Sequence, residues 1–241
     1  MMLSYWNASK NMYYSIIFVL PMLFLYELMC WFQFIGAEFQ IRNGADVVIR
    51  QLFINFGYFS ELIYSLSLLF IFLLIMYINR NIIKEGGVKV SFLLYMFVES
   101  FIWCAFFIIF MGLSENILLS ILDRNIIPEQ FYLSIGAGIW EEILFRVGAI
   151  TFTVYLLKYI LSYAHLFAIS FAIISSALLF SLFHYIGQFG DLFTFRSFYI
   201  RTIAGIILGI LYIFRGFGIT AYTHIFYDIS IISIPVIMNN S

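Results

Sequence analysis

Long apolar stretches alternate with short polar connections along the chain. A membrane-spanning helix needs about 20 largely apolar residues, and seven stretches meet that length. They cover residues 12–35, 58–79, 90–112, 130–157, 164–186, 199–214 and 217–238. This pattern predicts an all-α membrane protein, a polytopic bundle of about seven transmembrane helices.

Charged residues concentrate between the predicted spans. Arg80 and Lys84, for example, lie in the second connection, beside a Gly-Gly turn signal. A shorter mixed stretch, residues 47–56, is predicted to lie in the bilayer interface as an amphipathic helix. Because no internal repeat or low-complexity segment divides the chain, residues 1–241 are predicted to form a single transmembrane domain.

The composition agrees with lipid as the main solvent. Hydrophobic residues make up 64% of the chain and charged residues 10%, against roughly 45–50% and about 25% in soluble proteins. Membrane lipid is therefore an expected partner. The net charge is -1 and no basic tail is present, so nucleic acid is not expected as a partner. A bias toward residues that AT-rich codons favour indicates a bacterial source. Together with the predicted spans, it places the protein in a bacterial inner membrane as a multi-pass protein.

Four charged residues interrupt the apolar spans of the second half. Glu141, Glu142 and Arg146 lie in the fourth span, and Asp228 lies in the seventh. A charge at the bilayer centre costs about 2.5–3.5 kcal/mol on insertion scales, so such residues normally face the bundle interior and meet partners. The cluster is therefore the first candidate for a functional site.

Helical spacing predicts which of these side chains meet. Glu142 and Arg146 are four residues apart and share one face, so they are expected to form a local ion pair. Glu141 is rotated by about 100° from Glu142 and is left outside that pair. The small residues Gly136 and Gly138, just before Glu141, should let neighbouring helices approach closely.

Two histidines complete the candidate site. His184 ends the fifth span, and His224 lies one helical turn before Asp228. His184, His224 and Asp228 would make a two-histidine, one-carboxylate set for a divalent metal, with zinc as the expected ion. Glu141 would then be the general base. The alternative is a metal-free site.

The motifs resemble those of a known family. Glu141-Glu142-Ile-Leu-Phe-Arg146 matches Glu-Glu-x-x-x-Arg, Phe180-Ser-Leu-Phe-His184 matches Phe-x-x-x-His, and His224-Ile-Phe-Tyr-Asp228 matches His-x-x-x-Asn/Asp. In this order and on three spans they are similar to the CPBP intramembrane proteases, which include the CAAX prenyl endopeptidases and the bacteriocin-processing Abi proteins. The resemblance covers residues 130–238, the half of the chain that carries the motifs.

The resemblance implies an endopeptidase that cuts a peptide or protein substrate in or beside the membrane. Glu141 resembles the glutamate that activates water, and His184 resembles its partner in positioning that water. Glu142 and Arg146 resemble the pair that supports and orients the site. The family has been described both as metalloproteases and as metal-free glutamate proteases, and both remain open.

His224 and Asp228 resemble the pair placed either on a metal or around the oxyanion. The prenyl-endopeptidase branch usually has Asn at the position of Asp228. An ionised Asp accepts hydrogen bonds and cannot donate one. It therefore suits a metal or an imidazolium better than an oxyanion.

Two other functions are kept beside the protease. Buried Glu, His and Asp residues also form proton relays, so a proton- or ion-coupled carrier is one alternative, although carriers commonly show repeats that are not found here. A non-catalytic bacteriocin immunity protein is the other. Substrate identity, membrane orientation and oligomeric state are left open.

The first half of the chain carries no motif with recognisable chemistry. Glu27 and Glu99 lie within apolar stretches and are predicted to be structural or interfacial. The sequence Asn43-Gly44-Ala45-Asp46 is interpreted as a turn at the bilayer surface, because Asn-Gly is a strong turn signal.

Overall fold

The computed structural model of the protein is helical wherever it has regular structure, and its described residues contain no strand. Between the third and fourth predicted spans, residues 113–128 lie outside the described residues. Side chains are not described at residue 34 and from 234 onward. The described residues are 4–34, 41–84, 87–112, 129–187 and 190–239.

Ten helices follow one another in the described residues, and a 3-10 helix, Ile54–Phe59, leads into the fourth. Their bounds are α1 (Tyr5–Lys10), α2 (Met12–Phe34), α3 (Gly44–Gln51), α4 (Ser60–Ile78), α5 (Arg80–Lys84), α6 (Val90–Gly112), α7 (Glu129–Ile160), α8 (His165–Phe183), α9 (Phe195–Arg215) and α10 (Phe217–Asn239).

Six of these segments are long and apolar enough to cross a membrane: α2, the 3-10 helix with α4, α6, α7, α8 and α9. The predicted all-α polytopic bundle is confirmed, with six candidate spans within the described residues instead of about seven. The seventh predicted segment is α10. It is helical, and it is not one of the six segments found within the described residues.

Apolar side chains cover the outer faces of the bundle. Phe70 on α4, Ile102 on α6 and Leu166 on α8 are each at least 65% exposed, and many similar side chains surround them. Soluble monomers rarely expose contiguous apolar surface of this extent. The protein is therefore a multi-pass membrane protein.

Helix α10 lies at the centre of the packing. It contacts α2, α6 and α7, and its buried Tyr222 and Ile225 join the main apolar core with Phe18 and Trp140. The rings of Phe18 and Tyr222 stack with their centroids 4.1 Å apart. Thr223 and His224 of α10 are buried in this packing.

Two close contacts between helices depend on glycine. A Cβ atom on Gly138 would lie 2.3 Å from Ile225 Cγ1 and 2.8 Å from the carbonyl oxygen of Ala221, so α7 and α10 pack backbone against backbone. A Cβ on Gly205 would lie 2.9 Å from Ala177 Cα, so α8 and α9 do the same. The close approach predicted at Gly138 is present.

Helix α7 is not a regular α-helix where it carries its charges. It winds as a π-helix over Ala137–Glu141 and again over Ile143–Ile150, with Glu142 between the two segments. π-Helical turns are rare in proteins overall, but those that occur often lie at functional sites. Regular α spacing predicted the Glu142–Arg146 pair, and this pair forms although the helix is locally a π-helix.

The prediction of a surface turn at residues 43–46 was wrong. Helix α3 already begins at Gly44, and Asp46 in its first turn is fully buried. The physical reason is that Asp46 meets hydrogen-bond donors from several elements and does not need water. The interfacial helix predicted over residues 47–56 is replaced by the end of α3 and the start of the 3-10 helix.

Candidate active site

A cavity of about 530 Å³ brings the predicted site residues together. Glu141 on α7, His184 at the end of α8, and His224 and Asp228 on α10 all line it. The volume falls in the range of roughly 300–1,000 Å³ that is usual for ligand pockets. The rest of the wall is largely apolar, and its members include Phe107, Met111, Ile200, Leu208, Ile231 and Ile232.

Glu142 is the fully buried centre of the charged cluster. Its Oε2 atom lies 3.1 Å from Arg146 Nε, which confirms the predicted ion pair. Its Oε1 atom lies 2.8 Å from Nδ1 of His224 on α10. Glu142 therefore ties α7 to α10 through one charged group, a link that the sequence analysis did not predict.

Phe180 holds three of the site residues in place. Its ring lies under the Arg146 guanidinium, 4.6 Å from centroid to Cζ. It also packs against His184 and His224, at 4.9 and 6.0 Å between ring centroids. Arg146 Nη2 additionally donates to the carbonyl oxygen of Gly205 at 3.4 Å.

Glu141 is 6% exposed, and its two carboxylate oxygens differ. Oε1 accepts a hydrogen bond from Asn43 Nδ2 at 3.0 Å. Oε2 has no hydrogen-bond partner among the described residues. The glutamate stays outside the Glu142–Arg146 pair, as predicted, but it is held on one side by an asparagine that the sequence analysis assigned to a turn.

His184 follows the last residue of α8 and is partly buried at the cavity wall. Its Nδ1 atom lies 2.8 Å from the carbonyl oxygen of Phe180. Because a carbonyl only accepts, Nδ1 carries the hydrogen, and Nε2 of the neutral ring is then an acceptor. The local helix geometry thus selects the tautomer.

His224 is buried between two carboxylates. Nδ1 is engaged by Glu142, and Nε2 lies 3.5 Å from Asp228 Oδ2, long for a hydrogen bond. The Asp228 side chain is 27% exposed, toward the cavity that it lines. The i,i+4 spacing therefore pairs these two residues with each other.

The predicted metal ligands are not arranged around a common point. Across the described ranges, no group of three or more His, Cys, Asp and Glu side chains is placed to hold a metal ion. His184 and His224 each use Nδ1 within the protein, so each can offer only Nε2 to a ligand. The set His184, His224 and Asp228 does not fit a metal in this conformation, and zinc binding stays a prediction.

Glu27 and Glu99 lie away from the cavity and pair with arginines. Glu27 Oε2 lies 2.8 Å from Arg42 Nη2, and Glu99 Oε2 lies 2.7 Å from Arg215 Nη2. Tyr5 also donates to Glu99, which joins α1 to α6 and α9. These contacts agree with the structural role predicted for both glutamates.

The chain matches one family model, described as type II CAAX prenyl endopeptidase Rce1-like, over residues 123–230. The family resemblance is confirmed. We call residues 123–230 the Rce1-like region; it contains all six predicted catalytic residues. The match supports a membrane-embedded protease. No curated protein and no solved structure matches the chain.

Asn43 lies outside the Rce1-like region, 98 residues before Glu141. The motifs alone could not have identified it. The Rce1-like region nevertheless receives a hydrogen bond from this earlier part of the chain at the residue predicted to be its general base. The site is thus built from both halves of the protein.

Proposed function

We propose that the protein is an intramembrane endopeptidase of the glutamic type, which hydrolyses a peptide bond with a water bound between Glu141 and His184. The observation that carries the proposal is that both side chains line one cavity, each with an acceptor atom not used by the described part of the protein. These atoms are Oε2 of Glu141 and Nε2 of His184.

The reaction follows from these two acceptors. Glu141 Oε2 takes one proton of the water while His184 Nε2 accepts a hydrogen bond from the other, which directs the water oxygen at the substrate carbonyl carbon. The new C–O bond gives a tetrahedral intermediate. When the C–N bond breaks, Glu141 returns its proton to the leaving amine. The products are a carboxyl end and an amine end, and Glu141 is ionised again.

His224 is assigned to the developing oxyanion. Glu142 holds its Nδ1–H, and in the doubly protonated ring Nε2–H donates to the charged oxygen. Asp228, near that nitrogen, acts as the acceptor that accompanies the imidazolium and not as an oxyanion donor. Arg146 balances the charge of Glu142. This assignment accommodates Asp at a position where the prenyl-endopeptidase branch usually has Asn.

The cavity wall suggests the kind of substrate. Its apolar side chains, such as Phe107, Met111 and Ile231, suit a peptide segment with hydrophobic residues, while Arg196 and Arg201 also line it. We infer a membrane-associated peptide or protein, in line with the CAAX-type match. We assign the protein to a bacterial cell membrane, because its composition is biased toward residues that AT-rich codons favour.

The proposed reaction needs no metal, because Glu141 and His184 supply both contacts that the water requires. Metal analysis of purified wild type and His184→Ala tests this point. We expect no stoichiometric metal in either protein and activity that chelators do not reduce. Zinc bound by the wild type and lost from His184→Ala would assign the activation of water to the metal.

The central experiment is Glu141→Gln in proteoliposomes. Two probes are used: a quenched peptide ending in a prenylated CAAX sequence, and a pool of membrane-proteome peptides whose new termini are read by mass spectrometry. General acid–base groups contribute about 10²- to 10⁴-fold, so cleavage should fall at least 100-fold. Lys158→Ala is the control, because this residue is on α7 but does not line the cavity, and it should cleave at the wild-type rate.

Each alternative function gives a different result. If the protein conducts ions in a way that requires Glu142 and produces no new peptide terminus, the carrier hypothesis would replace the protease hypothesis. Protection against a bacteriocin that survives Glu141→Gln would favour the immunity protein. Wild-type cleavage by Glu141→Gln would exclude the proposed base.

A further inference from the structure

Within the described residues, Asn43 is the one side chain from the first half of the chain that donates a hydrogen bond to Glu141. It precedes α3, and its Nδ2 atom donates to Glu141 Oε1 at 3.0 Å. A Cβ atom on the next residue, Gly44, would lie 3.4 Å from Phe183 Cε1, so this turn also packs against the end of α8, beside His184. Asn43 thus lies where the two halves of the proposed site meet.

The orientation of the Asn43 amide is fixed by its second hydrogen bond. Its Oδ1 atom accepts from the backbone N–H of Ala45 at 2.9 Å, as the N-cap of α3. A backbone N–H can only donate, so Oδ1 must face Ala45 and the NH2 group must face Glu141. The cap therefore sets which end of the amide reaches the carboxylate.

The backbone of Asn43 is anchored as well. Its N–H donates to Tyr26 Oη at 3.0 Å, and Tyr26 donates in turn to the buried Asp46. A Cβ on Gly136 would lie 2.5 Å from Tyr26 Cε2 and 3.0 Å from Asn43 Cβ, so α7 leaves no room for the turn to shift. The amide is held from its own helix, from α2 and from α7.

We propose that Asn43 is a positioning residue for Glu141. Its hydrogen bond on Oε1 fixes the rotation of the carboxylate and leaves Oε2 to take the proton of the water. This inference rests on the proposed function, because it assigns Asn43 a role in the same reaction. It adds a requirement from outside the Rce1-like region.

The test separates the capping role of Asn43 from its donation to Glu141. Asn43→Ser keeps a good N-cap but loses the amide donor, whereas Asn43→Ala loses both. Because a small misplacement of a reacting group can cost about 100-fold, we expect kcat of Asn43→Ser to fall about 10- to 100-fold, with KM within about twofold and the melting temperature near that of the wild type. Asn43→Ala should show the same loss of kcat and a lower melting temperature.

Asn43→Asp provides a second variant that keeps the cap. Its carboxylate cannot donate and faces Glu141 with a like charge, so kcat should fall at least as far as in Asn43→Ser. Asn79→Ser is the matched control. It removes an amide hydrogen bond with Asn11 at 3.0 Å, away from the cavity, and should leave kcat unchanged.

All rates are measured per folded protein on a peptide that the wild type cleaves, with Glu141→Gln in parallel. If Glu141→Gln is inactive while both Asn43→Ser and Asn43→Asp retain wild-type kcat, the positioning role is overturned and the proposed function stands. If Glu141→Gln retains activity, the proposed function itself fails. Loss of kcat that merely follows a loss of melting temperature across the three Asn43 variants would make Asn43 a structural cap only.

Discussion

Two of the buried carboxylates, those of Asp46 and Glu141, differ greatly in how many hydrogen bonds they accept. Asp46 accepts from four donors, two on each oxygen: Tyr26 and Arg42 on Oδ2, and Tyr64 and Arg50 on Oδ1, at 2.8–3.2 Å. Glu141, with similar burial, accepts from Asn43 on one oxygen, and the other has no partner in the described part of the chain.

The difference supports a structural role for Asp46 and agrees with the reactive role that we propose for Glu141. A buried charge is costly unless it is paired and hydrogen-bonded, and Asp46 meets both conditions. Burial alone would lower the pKa of Arg42, but the carboxylates of Glu27 and Asp46 raise it above its ordinary value, so the pair stays ionised. Glu141 lines the cavity and has one oxygen without a partner in the described residues, and we propose that this oxygen takes the proton of the water.

The largest expected effect comes from removing the satisfied carboxylate. Asp46→Ala removes the buried one of the two carboxylates that Arg42 and Arg50 share, and it leaves them with Glu27. Breaking a buried ion pair typically costs about 3–5 kcal/mol. We expect a large fall in the thermal unfolding midpoint in detergent, or failure to fold. Asp46→Asn, which keeps the shape but not the charge, should lose less. A midpoint of Asp46→Ala equal to the wild type would contradict the structural role.

An intermediate effect is expected where α7 meets α10. Gly138→Ala forces a methyl group against Ile225 and the backbone of Ala221, and overpacking of this kind costs about 1–3 kcal/mol. Cleavage should fall as well, because Glu142 on α7 and His224 on α10 would be displaced. Gly112→Ala is the control, since a Cβ atom on this glycine would meet no described atom within 4 Å. Equal behaviour of the two variants would argue against the close contact.

The smallest effect on stability is expected at the reactive carboxylate. Glu141→Gln keeps an acceptor for Asn43 and removes a charge that the protein only partly satisfies, so the free energy of unfolding should change by less than about 1 kcal/mol. Comparing the unfolding midpoints of Glu141→Gln and Asp46→Asn sharpens the contrast. A loss in Glu141→Gln as large as in Asp46→Asn would mean that both carboxylates are structural.

The motifs predicted much of the site, because charged side chains inside a membrane must lie in the protein interior and pair with one another. Charged residues inside apolar spans were expected to face one another in the bundle interior. The structure brings together those of α7 (Glu141, Glu142 and Arg146) and those of α10 (His224 and Asp228). The link from Glu142 to His224 was missed, because helical spacing predicts partners along one helix and not across two. The six candidate spans within the described residues do not include α10, which carries His224 and Asp228.

Asn43 and Asp46 could not be predicted in the same way. Asn before Gly is typical of a turn, and a charge between two spans is usually solvated, so both residues were interpreted as surface features. One signal was available: Arg42, Asp46 and Arg50 follow one another at intervals of four residues, a spacing that favours two ion pairs when it falls on a helix. The contact of Asn43 with a residue 98 positions away has no local signature.

The hydrogen bond between Glu142 and His224 also bears on how the protein is made. The two residues lie 82 positions apart, so α7 enters the bilayer well before its partner leaves the ribosome. During that interval no pair of helices holds the complete proposed site. A nascent chain that still lacks α10 is therefore without His224 and Asp228, two of the residues of the proposed site.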